Sequence, residues 1–157
     1  MKTTQEWLDA YAVSHKNPTN KLIHWFCIPL IMFSIFGLLM SIPVPVLNFS
    51  LFINFAALIL LFALIFYLRL SLSLFFGFLI IGIAMLFGNY FLFQILNFDR
   101  GNLALVSLAI FIIAWIGQFI GHKIEGAKPS FFQDLQFLLI GPAWLLHFIY
   151  RKMGITY

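Results

Sequence analysis

Long apolar runs, separated by short polar segments, form the main pattern of this 157-residue chain. Four runs are long enough to cross a bilayer, because a hydrocarbon core of about 30 Å takes roughly 20 helical residues. Their approximate bounds are 22–41, 49–68, 72–96 and 103–121. The pattern therefore predicts four transmembrane helices.

The segment before the first run alternates between polar and apolar residues. Its apolar positions recur at helical spacing and are Trp7, Leu8, Tyr11 and Ala12. This spacing predicts an N-terminal amphipathic helix over about Thr4–Ser14. The helix should end before Asn17-Pro18, because proline disfavours helical backbone in the residue that precedes it.

The last apolar segment is shorter than the others. A helix over about 131–150 is predicted, with Ser130 and Gln133 in the pattern of a capping box at its start. Its uncharged stretch has 16 residues, about 24 Å of helix, which is too short to cross the bilayer. Gly141-Pro142 interrupts it. We interpret the segment as a kinked re-entrant or interfacial helix.

The positions of the cationic residues support this interpretation. With four spans, Arg100 lies alone on one side of the membrane and eight cations lie on the other. Those eight are Lys2, Lys16, Lys21, Arg69, Lys123, Lys128, Arg151 and Lys152. A fifth span would change the split to six against three, so the positive-inside rule favours four spans with both termini cytoplasmic.

Composition agrees with a membrane protein of one domain, over residues 1–157. The chain is 63% hydrophobic and 9% charged, with a mean hydropathy of +1.03, whereas soluble domains are roughly 45–50% apolar. The first 21 residues lack the apolar core of a cleaved signal peptide. We therefore expect a multi-pass protein of the inner membrane, if bacterial, or of the endoplasmic reticulum, if eukaryotic.

The net charge of +4 comes from few residues and forms no clustered basic face. It favours anionic headgroups or carboxylates as partners and argues against nucleic acid. Cys27 is the single cysteine, which excludes a disulfide framework and a cysteine-rich zinc site. The oligomeric state cannot be read from these features.

The four histidines are predicted to share the cytoplasmic face of the bundle at similar depth. They are His15, His24, His122 and His147. Each has a simpler interpretation: a solvated interfacial residue, an aromatic-belt anchor, a partner of the helix C-terminus, or a ring packed on Trp144. Their common side and depth favour one joint site, because polar residues at membranes are costly and usually functional.

Neutral imidazoles suit iron, zinc, copper or nickel, and four histidines support at most a single metal. Glu125 could complete a set of two histidines and a carboxylate, or pair with Lys128 at the membrane surface. Gln118, one turn before His122, suits a role in orienting that imidazole. A haem held by two histidines stays open as an alternative. The small residues of Gly117-x-x-x-Gly121 predict close approach of another helix.

Three motifs resemble those of the metabolism-of-phytosphingosine-to-odd-numbered-fatty-acids family, and they cover nearly the whole chain. They are Tyr11-x-x-x-His15 with Asn17, Asn20, Ile23-His24 and Pro29; QFIGHKIEGAKP, Gln118–Pro129; and LLIGPAW, Leu138–Trp144. The resemblance implies an Fe(II)-dependent membrane dioxygenase. Such an enzyme cleaves 2-hydroxy fatty acids between C1 and C2 with O₂ and gives a fatty acid one carbon shorter.

The resemblance also implies roles for individual residues. The catalytic and metal-binding histidines would be His15, His24, His122 and His147. The substrate carboxylate would be steered inward by cations of the same face, which are Lys21, Lys123, Lys128 and Arg151. The acyl chain would lie among the spans, where 21 phenylalanines provide apolar walls. The alternatives are a non-enzymatic membrane scaffold or assembly protein, and a haem-binding electron carrier.

Overall fold

The computed structural model describes residues 3–13, 15–45, 50–126 and 137–157. These residues form six α-helices: α1 (Thr4–Ala12), α2 (Pro18–Ser41), α3 (Phe55–Leu70), α4 (Leu72–Ile95), α5 (Arg100–Glu125) and α6 (Ile140–Met153). The prediction of an all-α fold is confirmed.

Three of the helices, α2, α4 and α5, are long and apolar enough to cross a membrane. Their many large apolar side chains on the outside of the bundle are typical of a surface that faces lipid. The helix α3 has 16 residues and begins at Phe55, later than the predicted start near residue 49. Residues 46–49 lie outside the described part of the chain. The chain thus has the helices of a membrane protein, with α3 shorter than the other three.

The predicted break at Asn17-Pro18 is confirmed. The Asn17 side chain accepts hydrogen bonds from the backbone of Thr19 and Asn20, and Pro18 occupies the first turn of α2. Proline fits there because the first helical N–H groups have no partner within the helix. The first helix ends at Ala12, two residues earlier than predicted, and Ser14 is outside the described residues.

Small residues in the last turns of α5 let this helix pack closely against α2. A Cβ added to Gly117 would lie 2.6 Å from the Cys27 sulfur, and one added to Gly121 would collide with the Asn20 side chain. The prediction that these glycines admit another helix is confirmed, and that helix is α2. This close contact places the start of α2 beside the residue after Gly121, which is His122.

The C-terminal helix α6 is buried at the same end of the bundle. Its first seven residues, 140–146, are all buried. Gly141-Pro142 lies in the first turn of α6, so in the described residues it begins the helix rather than kinking its middle. The predicted start near residue 131, with Ser130 and Gln133, lies outside the described part of the chain.

Hydrogen bonds attach both terminal segments to the turn between α3 and α4. The Thr4 hydroxyl donates to the Leu70 carbonyl at 2.9 Å, and the Tyr67 hydroxyl donates to the Leu139 carbonyl at 2.7 Å. The Ser73 hydroxyl donates to the Thr156 carbonyl at 2.6 Å. The helices α1 and α6 therefore close one end of the bundle.

Candidate metal centre

Three histidines meet at this closed end. His15 comes from the connection between α1 and α2, His24 from α2, and His122 from the last turn of α5. One ring nitrogen of each lies within 4.8 Å of the other two. The three side chains are 3%, 1% and 6% exposed. Three buried imidazoles in mutual contact are unusual among the few polar side chains of this chain, and their nitrogens are close enough to hold one metal ion.

Backbone carbonyls fix the rings of two of these histidines. The Nδ1 of His15 lies 2.7 Å from the Tyr11 carbonyl, and the Nδ1 of His24 lies 2.9 Å from the Asn20 carbonyl. A carbonyl oxygen only accepts, so we assign the proton of each ring to Nδ1. Each Nε2 is then the acceptor nitrogen of its ring, and this neutral form of imidazole is the one that binds a metal.

The two Nε2 atoms of His15 and His24 are 3.0 Å apart. Two lone pairs at this distance repel each other unless a proton or a cation lies between them. Two ligand nitrogens about 2.1 Å from one metal and at right angles to each other would be about 3.0 Å apart. The pair therefore has the spacing of two neighbouring ligands of a single transition metal.

Aromatic rings hold His15 in place. Tyr11 stacks on it with ring centroids 4.0 Å apart, and Trp144 lies 5.4 Å from it. The ring of His122 is 5.3 Å from His15 and 5.0 Å from His24. Sequence reasoning did not identify Tyr11 and Trp144 as site residues, although both belong to the motifs quoted above. Tyr11 is four residues before His15, and Trp144 is three residues before His147. This helical spacing to a histidine is the signal that the sequence offers.

Glu125 does not join the three-histidine group. Its carboxylate accepts hydrogen bonds from the backbone N–H of Lys16 at 2.7 Å and of Asn17 at 2.9 Å, and from Asn20 Nδ2 at 3.0 Å. These contacts fasten the end of α5 to the residues that follow His15. Its predicted partner Lys128 lies outside the described residues.

His147 also lies apart from the three-histidine group in the described structure. Its Nδ1 forms a hydrogen bond with the Tyr157 hydroxyl. Burial lowers the pKa of His147, the positive charge of Arg151 lowers it further, and Asp9 acts in the opposite direction. His147 therefore lies beside charged residues, and it shares a cavity wall with Asp9 and Arg151.

Two cavities flank the three histidines. A polar cavity of about 500 Å³ touches His15, and its wall includes Lys16, Lys21, His147 and Arg151. Lys21 and Arg151, both predicted to attract a carboxylate, are thus brought together. Lys123 is exposed and absent from the described wall of this cavity. Lys128 is outside the described residues.

The second cavity, of about 50 Å³, touches His24 and His122. Its other described walls are mainly apolar: Tyr11, Ile28, Ile31, Met32, Trp115, Gln118, Phe137, Leu138, Gly141 and Pro142. Gln118 is 6% exposed, and its Oε1 has no hydrogen-bond partner among the described residues. The role of Gln118 in orienting His122 stays a prediction.

Comparison with known proteins gives one match. A family model described as 2-hydroxy-palmitic acid dioxygenase Mpo1-like matches residues 1–153. No curated protein and no solved structure matches the chain.

Proposed function

Since the chain belongs to the Mpo1-like family, we propose that it is an Fe(II)-dependent dioxygenase that shortens 2-hydroxy fatty acids by one carbon. The observation that carries the proposal is the pair of His15 and His24 Nε2 atoms, 3.0 Å apart beside His122. The donor set fits the metal, because neutral imidazoles bind iron among other transition ions. Three of them would hold the iron and would leave room for substrate and O₂ beside it.

The proposed reaction balances without a further reductant. A 2-hydroxy acid and O₂ give the shorter fatty acid, CO₂ and water. The C1–C2 bond breaks, C1 leaves as CO₂, and C2 is oxidised from an alcohol to a carboxyl carbon. The substrate supplies the four electrons that reduce O₂. Bound Fe(II) would supply the activation of O₂, which amino-acid side chains cannot provide.

Side chains of this protein would bind the iron and keep water away from the reacting atoms. His15, His24 and His122 would be the ligands, with the Tyr11 and Asn20 carbonyls fixing the first two rings. The rings stacked around His15 would exclude water from one side of the site. We leave His147 out of the ligand set, because it bonds Tyr157 in the wall of the polar cavity.

The two cavities suggest how the substrate would lie. Its carboxylate would face the polar cavity, where Lys21 and Arg151 offer positive charge. Its alkyl chain would enter the apolar cavity and continue among the helices. O₂ and the lipid bilayer, which would deliver an acyl chain of this kind, complete the proposed partners.

We expect Lys21→Met and Arg151→Met each to raise the KM for a 2-hydroxy fatty acid by roughly tenfold, the loss of one charge-assisted hydrogen bond. Iron content should not change, because neither residue is in the three-histidine group. Steady-state kinetics in detergent or nanodiscs measure this. Lys123→Met is the matched control, since Lys123 is exposed outside the described cavity wall. An unchanged KM in both cavity variants would contradict the assignment.

Metal analysis and oxygen uptake together test the proposed function. Purified protein should contain about one iron per chain and consume O₂ when a 2-hydroxy fatty acid is added. The acid one carbon shorter and CO₂ should appear in equal amounts. Iron-free protein without O₂ uptake would favour the scaffold alternative. A Soret band would reveal a haem, although two ligands on opposite sides of a haem iron would be about 4 Å apart, further than the His15–His24 nitrogens.

We propose four membrane crossings, with α3 as the second. The contacts of Thr4 with Leu70 and of Ser73 with Thr156 support this, because they gather both terminal segments and the α3–α4 turn at one end. Four crossings bring the end of α5 back to that end as well. A helix of 16 residues covers about 24 Å and can span by local thinning of the bilayer.

This topology predicts that reporters fused before Lys2 and after Tyr157 are both cytoplasmic. The physical reason is the charge split of eight cations against Arg100. A pair of reporters, one active in the cytoplasm and one outside it, reads the side for each fusion. Termini on opposite sides of the membrane would rule out four crossings.

A further inference from the structure

The amide of Gln118 is a buried polar group with an unmet acceptor. The side chain is 6% exposed, and its Oε1 has no hydrogen-bond partner among the described residues. A buried acceptor without a donor destabilises the folded protein, so such a group calls for an explanation. A missing donor that arrives with a ligand is one such explanation.

The position of Gln118 indicates which part of a ligand could donate a hydrogen bond to its Oε1. It shares the wall of the apolar cavity with His24 and His122, and it lies one turn before His122 on α5. A donor that meets Oε1 there would lie in the apolar cavity, whose wall also includes His24 and His122 of the three-histidine group. It must therefore belong to the reacting end of the substrate, near the carbon from which the alkyl chain extends.

We propose that the Oε1 of Gln118 accepts a hydrogen bond from the 2-hydroxyl of the substrate, an inference that rests on the proposed function. A 2-hydroxy fatty acid has no other donor beyond its carboxyl group. An unsubstituted fatty acid would leave Oε1 buried and unpaired, and a site built to bond a hydroxyl discriminates against analogues that lack it. Gln118 is then the residue that selects 2-hydroxy acids over ordinary fatty acids.

Gln118→Met tests this with little change in side-chain volume. Equilibrium binding is measured on the iron-loaded protein under nitrogen, so that no turnover occurs, with 2-hydroxyhexadecanoic acid and hexadecanoic acid as probes. The wild-type protein should prefer the 2-hydroxy acid. In Gln118→Met this preference should fall by about tenfold, the loss of one hydrogen bond, through weaker binding of the 2-hydroxy acid alone. Iron content and thermal stability should not fall, because the substitution removes an unpaired polar atom.

Gln94→Met is the matched control, since Gln94 is exposed on α4, and it should leave both affinities unchanged. If the wild-type protein prefers the 2-hydroxy acid and Gln118→Met keeps that preference in full, the role of Gln118 is overturned while the proposed function stands. Equal weakening of both acids would also overturn it, because that is the result of a structural defect. A wild-type protein without any preference and without O₂ uptake would overturn both.

Discussion

Protein with His24 replaced by alanine should contain no bound iron and show no dioxygenase activity. His15→Ala and His122→Ala should do the same. The three ring nitrogens lie within 4.8 Å of one another, so each removal takes one of three ligands from a shared site. Metal affinity depends on the number and geometry of ligands, and two imidazoles do not hold iron through purification. Elemental analysis and O₂ uptake on the purified variants measure the two losses.

His147→Ala provides the matched control for this set. It removes an imidazole from the same end of the bundle, but one that bonds Tyr157 outside the three-histidine group. It should therefore keep full iron occupancy. All four variants should insert and fold, because none of the rings lies near the middle of a long helix. Full iron in two of the three ligand variants, or loss of iron in His147→Ala, would refute this ligand set.

Glu125→Gln should lower iron affinity by about 10- to 100-fold, the range for partners that position metal ligands. In the wild-type protein both carboxylate oxygens accept backbone N–H groups of Lys16 and Asn17. The glutamine amide would turn an NH₂ group toward one of these backbone N–H groups. Two donors cannot form a hydrogen bond, so the residues after His15 would be held less firmly against α5. The ring of His15 should then spend less time beside His24. Competition with a coloured iron chelator measures the affinity.

Asp99→Asn is a suitable comparison for the Glu125 variant. Asp99 also accepts a backbone N–H at a helix start, from Asn102 at 2.7 Å, but at the other end of α5. The same acid-to-amide change there should leave iron affinity unaltered. Activity regained by Glu125→Gln at saturating iron would show that the residue positions the site. An iron affinity equal to wild type would show that the contact has no such role.

The meeting of His15, His24 and His122 could be predicted from the sequence, but not the distances between their rings. His15, His24 and His122 stand out because few polar residues occur in this chain, and each borders an apolar run. The same reasoning placed His147 with them, since depth along a helix can be read from spacing. Which neighbour a ring faces depends on how α6 packs, and that is a property of the folded bundle.

The role of Glu125 could not be predicted for a related reason. Its partners are backbone N–H groups more than a hundred positions earlier, at Lys16 and Asn17, and a backbone donor leaves no trace in the sequence. The close approach of α2 at Gly117 and Gly121, in contrast, could be predicted, because a pattern of small residues directly indicates close helix approach.

The start of α3 was misplaced because hydropathy alone does not locate a helix start. The Asn54 side chain, which accepts from the Ala57 N–H, caps that start.

The three-histidine group joins the beginning of α2 to the end of α5, and this fixes when the group can form during synthesis. His24 and His122 are 98 positions apart in the chain. At roughly 5–20 residues per second, the ribosome adds His122 about 5–20 seconds after His24. Until α5 has entered the membrane, the nascent chain carries at most two of the three imidazoles side by side. With the proposed iron site, acquisition of the metal would be a late step of biogenesis, and a chain truncated before α5 would not compete for iron in the cell.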